Sequence, residues 1–284
     1  MTQMFYQEYP PPTSLKKYIK CFWALEHDYT EEFHTYEHLW ADTHTELIFS
    51  YGKPYYLKDN DRQNNLPKNF AIFPFKKGLF LYSDGFTGFV AIRFQPWAIH
   101  KIINKPVSTL IDKIVGADKL FRENATILSR QLNNKSREEK IKILTDYFLN
   151  RIETFESKEI ATQRIAQEII LKNGIVSIKN LSEKFGTNSR KIERDFISEI
   201  GISAKLFSRI IRFNNARELL AQNPKTPLTA VAYEIGYADQ AHFNKNFKEL
   251  FGITPVAFKQ QLLELYKLKA ENKPNVVFLQ DNPS

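Results

Sequence analysis

The chain has 284 residues, of which 43% are hydrophobic and 25% charged, and a formal net charge of +8. That length fits about two domains, and the composition excludes collagen-like, fully disordered and coiled-coil classes. No stretch approaches the ~18 consecutive apolar residues of a membrane-spanning helix. The one cysteine, Cys21, excludes an internal disulfide and a Cys-rich zinc site, and fits a reducing cytosol. The charge permits an acidic partner such as nucleic acid but does not require one.

In chain order, the opening residues lack both a basic and an apolar leader, so no secretory signal is expected. More than half of the 23 Phe, 13 Tyr and 3 Trp fall before residue 98. This part is broken by Pro10-Pro11-Pro12, Tyr51-Gly52-Lys53-Pro54, Asp59-Asn60-Asp61, Lys77-Gly78 and Asp84-Gly85. Between those turn signals, the runs 46–51, 69–73 and 88–94 read as strands of an antiparallel sheet or small barrel. Helical spacing follows in 120–132 and 138–155, where Ile141, Leu144, Phe148, Ile152 and Phe155 form a stripe. That stripe has two readings, packing on the sheet or pairing with its twin in a homodimer. Residues 156–160 read as a linker, 161–266 as a helical domain, and 267–284 as a polar tail. Residues 161–266 hold 15 Lys/Arg and 10 Asp/Glu, a net +5, against +3 for 1–155.

The helical domain repeats itself at an offset of about 51 residues. Leu181 to Gly186, then Asn188 to Phe196, corresponds to Val231 to Gly236, then Asp239 to Phe247. Each copy predicts a short helix, a glycine turn and a second helix opened by a side-chain cap, which is a helix-turn-helix. Ile192/Phe196 and Phe243/Phe247 are spaced to face inward. The opposite faces carry Ser189, Arg190, Glu193 and Arg194 in one copy, and Gln240, Ala241, Asn244 and Lys245 in the other. Arg, Gln and Asn can make bidentate hydrogen bonds to base edges in the major groove. A long helix over 204–222, ended by Asn223-Pro224, joins the copies. Two heads roughly 34 Å apart could read successive major grooves on one face of a duplex.

The segment from Gly236 to Phe258, with Arg212, Ala216 and Leu219-Leu220 before it, resembles the AraC/XylS family of bacterial transcriptional regulators. The resemblance covers about residues 160–266. It implies a transcription regulator, an activator of the cytoplasm, with two helix-turn-helix subdomains bridged by one helix. Carried over by position, the base-contacting residues are Arg190, Glu193, Arg194, Gln240, Ala241, Asn244 and Lys245. Lys191, His242 and Lys248 are the phosphate contacts. Promoter DNA and RNA polymerase are the partners implied. The runs from Trp40 to Gly52 and from Val90 to Trp97 resemble, more faintly, the β-rich, cupin-like sensor domain that precedes such modules. Thr43 stands where that pattern has glycine.

The expected architecture is therefore multi-domain. An amino-terminal α+β domain at 1–155, a cupin-like sheet with helices, serves as sensor or dimerisation unit. An all-α DNA-binding domain follows at 161–266. The competing reading is a metal- or small-molecule-binding, cupin-like enzyme or sensor activity in 1–155. His27, His34, His38 and His44, with Glu37 and Glu46, lack the close His pair that a metal-binding cupin needs. No metal, cofactor or enzymatic activity is expected, since Ser/His/Asp, P-loop and dinucleotide patterns are absent. A repair methyltransferase, which needs several cysteines, is excluded by Cys21 standing alone. The aromatic excess has two readings, sheet packing or a pocket for a small-molecule effector walled by Trp23, Trp40, Tyr51, Phe73 and Trp97.

Overall fold

The computed structural model describes residues 5–29, 36–59, 62–151 and 160–270. Among them are ten strands: β1 (Phe5–Tyr9), β2 (Ile19–Asp28), β3 (Tyr36–Leu39), β4 (Glu46–Gly52), β5 (Tyr56–Asp59), β6 (Arg62–Asn65), β7 (Asn69–Ile72), β8 (Leu79–Tyr82), β9 (Phe86–Phe94) and β10 (Ile114–Gly116). The helices are α1 (Ile99–Ile103), α2 (Ala117–Phe121), α3 (Glu123–Leu132), α4 (Arg137–Leu149), α5 (Ala161–Leu171), α6 (Ile178–Lys184), α7 (Ser189–Glu199), α8 (Ala204–Gln222), α9 (Leu228–Glu234), α10 (Gln240–Phe251) and α11 (Pro255–Ala270). A β-rich amino-terminal region thus precedes an all-helical region, as the sequence pattern predicts.

Two antiparallel sheets form the first region, in the orders β1-β2-β9-β4-β7-β10 and β3-β8-β5-β6. Strand alternation sends side chains to both faces of the larger sheet. Phe22, Leu47, Phe49, Val90, Ile92 and Phe94 point to one face, against Leu128 and Leu132 of α3 and Leu144 and Phe148 of α4. Trp23, Leu25, Ile48, Phe89 and Ala91 point to the other, against Leu39 and Leu81 of the smaller sheet. With both faces covered, β4 and β9 are buried almost without a break, with Leu47–Phe49 and Phe89–Ile92 as unalternating apolar runs.

Ser136 and Glu139 close a reciprocal capping box that starts α4. Ile141, Leu144 and Phe148 are buried there, and the Phe148 ring lies 5.6 Å from that of Phe94. For these three residues, the stripe packs on the sheet. Ile152, Phe155, His34 and the tail beyond 270 lie outside the described residues, as does 156–159 of the expected linker.

A charged cluster is buried within the sheet. Arg93 donates from Nε to Glu46 at 2.6 Å and from Nη1 to Glu8 at 3.0 Å, and its guanidinium lies 5.2 Å from the Trp23 ring. Cys21 is buried beside it, and burial pushes the thiol pKa up to about 12. A thiol held protonated is a packing residue, not a nucleophile. The His44 ring meets the Asp42 carboxylate at 3.0 Å. Among the described residues no group of three His, Cys, Asp or Glu could hold a metal ion, and no helix is long and apolar enough to cross a membrane.

Candidate nucleic-acid interface

Each copy of the repeat forms two helices around a turn whose glycine has a left-handed backbone, Gly186 at φ 61° and Gly236 at φ 79°. The chain then reverses through equivalent hydrogen bonds, from the Thr187 amide to the Ser182 carbonyl at 2.9 Å and from the Tyr237 amide to the Ala232 carbonyl at 2.8 Å. Asn188 Oδ1 accepts from the Lys191 amide at 2.8 Å and caps α7. Asp239 Oδ1 does the same for α10, accepting from the His242 amide at 2.7 Å. These side chains satisfy amides that have no intrahelical partner.

Burial fixes which way each second helix faces. Ile192, Phe196, Phe243 and Phe247 are all buried. Phe196 meets Phe207 of α8 at 5.5 Å, and Phe243 stacks on Phe213 of α8 at 5.6 Å with 12° between the rings. The connecting helix therefore contributes a core residue to each copy. At 1.5 Å per residue its 19 residues span about 28 Å. Ser203 caps its start, accepting from the Leu206 amide at 3.1 Å.

The outward faces are the ones the sequence singles out. Arg190, Lys191, Arg194, Ala241, His242, Lys245 and Lys248 are exposed, and Gln240 and Asn244 are partly so. Arg190 makes no ion pair among the described residues. Arg194 Nη2 and Lys191 Nζ instead share the Asp195 carboxylate, at 3.3 Å and 2.5 Å. Asp195 is a residue the sequence reading passed over, although its spacing of four from Lys191 marks such a pair on a helix. Exposed ion pairs of this kind are weak, so both cations can exchange Asp195 for a phosphate or a base. A second residue passed over is Glu249 on α10, which pairs with Arg209 of α8 at 3.0 Å.

Two sequence expectations are corrected by geometry. The Glu193 carboxylate is engaged by the start of α8, accepting from the amides of Ala204 at 2.9 Å and Lys205 at 3.3 Å, so it braces a helix junction. The five aromatic residues of the expected effector pocket do not share a cavity. Trp23 is buried between the sheets, whereas Phe73 is buried on the helix-facing side. Trp97 Nε1 donates to the Lys17 carbonyl at 3.0 Å. Trp40 packs on Phe251 and Phe258 of the helical region, with ring centroids at 5.5 and 5.4 Å. Only Tyr51 lines an open cleft, of about 200 Å³, with Lys68, Asn69, Ser129, Asn134 and Lys140.

Two capped, outward-facing second helices held by one connecting helix define a double helix-turn-helix domain. A family profile described as "Helix-turn-helix domain" matches residues 181–261, and one described as "Domain of unknown function (DUF6597)" matches residues 7–116. Residues 181–261 are thus similar to the helix-turn-helix domains of AraC-type transcriptional regulators. The transcriptional activator RhrA of Rhizobium meliloti (strain 1021) is 30% identical over 100 residues, 34% of this chain and 31% of its own. The HTH-type transcriptional activator RhaS of Escherichia fergusonii is 27% identical over 85 residues, 30% of each chain. The chain thus spans about a third of the length of these curated relatives. A crystal structure of ToxT from Vibrio cholerae aligns with 85% of this chain and 98% of its own, at 12% identity and a TM-score of 0.47.

Proposed function

We propose that the chain is a sequence-specific DNA-binding regulator of transcription that acts without enzymatic chemistry in the cytoplasm. The observation that carries this reading is the pair of outward faces, each on a helix capped by its own side chain and each locked to α8 by a phenylalanine contact. In this reading 161–266 is the DNA-binding domain and 1–155 the sensor or dimerisation domain, joined at 156–160.

Arg190 and Arg194 of α7 and Gln240, Ala241, Asn244 and Lys245 of α10 reach base edges, with Ala241 limited to apolar contact such as a thymine methyl. Lys191, His242 and Lys248 hold phosphates, which set position but not sequence. The naming of two relatives as transcriptional activators supports RNA polymerase as a second partner. The cleft beside Tyr51, lined by Lys68 and Lys140, is the place this reading assigns to a small-molecule effector. A homodimer, formed through the first domain, completes the proposal.

Selection of bound duplexes from a random pool by the full chain tests it. Enrichment of one sequence with two half-sites is the expected result. Equal affinity for selected and random duplexes would remove the regulator reading.

A further inference from the structure

We propose that the amino-terminal region sets the spacing at which the two helix-turn-helix copies read DNA, by gripping the carboxy-terminal end of each second helix. This rests on the DNA-binding reading above and adds to it a positioning role for Trp40, Gly78, Val107 and Ile111, residues far along the sequence from either copy.

The grip on α10 has two parts. The last carbonyls of a helix have no intrahelical partner, and the Gly78 amide supplies one, donating to the Leu250 carbonyl at 3.0 Å. Trp40, 2% exposed, lies between the α10 and α11 aromatics and a buried cation. Its ring meets Phe251 and Phe258 edge-on, and the Arg217 guanidinium of α8 lies 4.6 Å from it. A desolvated cation over an indole face is among the stronger contacts of its type. The base of this arm is stiff. Six residues after Trp40 the chain enters β4 at Glu46, whose carboxylate holds the buried Arg93 of β9.

The grip on α7 lies at the corresponding place. Gly201 follows the C-cap residue Ile200, and Val107 and Ile111 press against it so closely that a methyl group built there would overlap Ile111. Both contacts are at the opposite ends of α7 and α10 from Arg190 and Gln240, and at α10 they engage the buried Leu250–Phe251 end, not the exposed Lys248. Their effect is on direction. A tilt at the gripped end is carried along the 12 residues of α10, about 18 Å, to its reading end. Alone, α8 holds α10 through the Phe213 stack and the Arg209–Glu249 pair. The amino-terminal region adds a support that α8 does not provide, and it touches both heads, through Trp40 and Gly78 at one and Val107 and Ile111 at the other.

The test uses the full chain and a duplex selected from a random pool, with variants that gain or lose one base pair between half-sites, and a duplex with a single half-site. The wild-type chain should prefer the selected spacing by about tenfold, the scale of one displaced base contact. Trp40→Ala and Ile111→Ala should bring that ratio towards one with single-half-site affinity nearly unchanged, and Trp40→Phe should restore it. If Trp40→Ala does not fold, Ile111→Ala decides. An unchanged ratio in the folded variants, or a parallel loss on every duplex, overturns the proposal. A wild-type chain that binds half-sites but ignores spacing overturns it too and leaves the DNA-binding reading standing. A chain with no sequence preference removes that reading first.

Discussion

The Glu193 carboxylate on α7 accepts a hydrogen bond from the Ala204 amide at the start of α8, 2.9 Å away. A side chain on the helix proposed to read DNA is thereby committed to the junction with the connecting helix. Glu193→Ala should cost about 1 kcal/mol of stability, the usual loss for a helix-start acceptor, with no change in the selected DNA sequence. Glu193→Gln, which retains an oxygen acceptor, should lose less. A changed base preference in either variant would return Glu193 to the reading face.

Arg190 and Lys248 should fail differently. Arg190→Ala should weaken binding to the selected duplex by about 1–3 kcal/mol and relax the sequence preference at one position. Lys248→Ala should weaken binding evenly on all duplexes and reduce the salt dependence by about one counterion. Titrations at several salt concentrations separate the two. Equal losses for Arg190→Ala on selected and random DNA would make it a phosphate contact.

The buried pair of Arg93 and Glu46 should be costly to break singly. Arg93→Leu leaves Glu46, 6% exposed, without its cation in a dry site, and a loss of about 3–5 kcal/mol is expected. The double variant Arg93→Leu with Glu46→Leu should recover much of that loss, because the buried Glu46 charge is then gone and only the more exposed Glu8 loses its cation. Denaturant melts of the three chains check this. A double variant less stable than either single one would contradict it.

Acid should destabilise the first region through His44. Burial lowers the His44 pKa below its ordinary 6.5, against the opposing pull of the Asp42 carboxylate. Below 6.5 the unfolded chain takes up a proton that the folded chain resists, so stability falls with falling pH until the folded group also titrates. Melting temperature should drop between about pH 7 and about pH 5.5, the range where histidine charge changes. His44→Asn should flatten that slope, and an unchanged slope would assign it to other groups.

Local rules made the interface legible. Asn188 and Asp239 are read as caps because capping needs only a side-chain oxygen and the next few amides, and both perform it. Ile192 and Phe196 are placed inward by periodicity alone, and they are buried. What escaped depended on partners distant in sequence. Nothing local distinguishes Glu193, whose acceptor role needs α8 to start beside it. Trp40 reads as a wall of an effector pocket, and only the packed chain brings Arg217, Phe251 and Phe258 around it instead. Strands β5 and β6 carry no such local mark, since Arg62–Asn65 is polar throughout and pairs with Tyr56–Asp59 through the backbone ladder.

In the proposed complex, α7 and α10 enter successive major grooves on one face of a duplex. Hydroxyl-radical and guanine-methylation footprints of the full chain on its selected site measure this directly. Two protected major-groove patches on the same face are expected, about 10 base pairs apart, with protection in Arg190→Ala weakened at the first and kept at the second. One patch only, or protection without a fixed phase along the duplex, would contradict it.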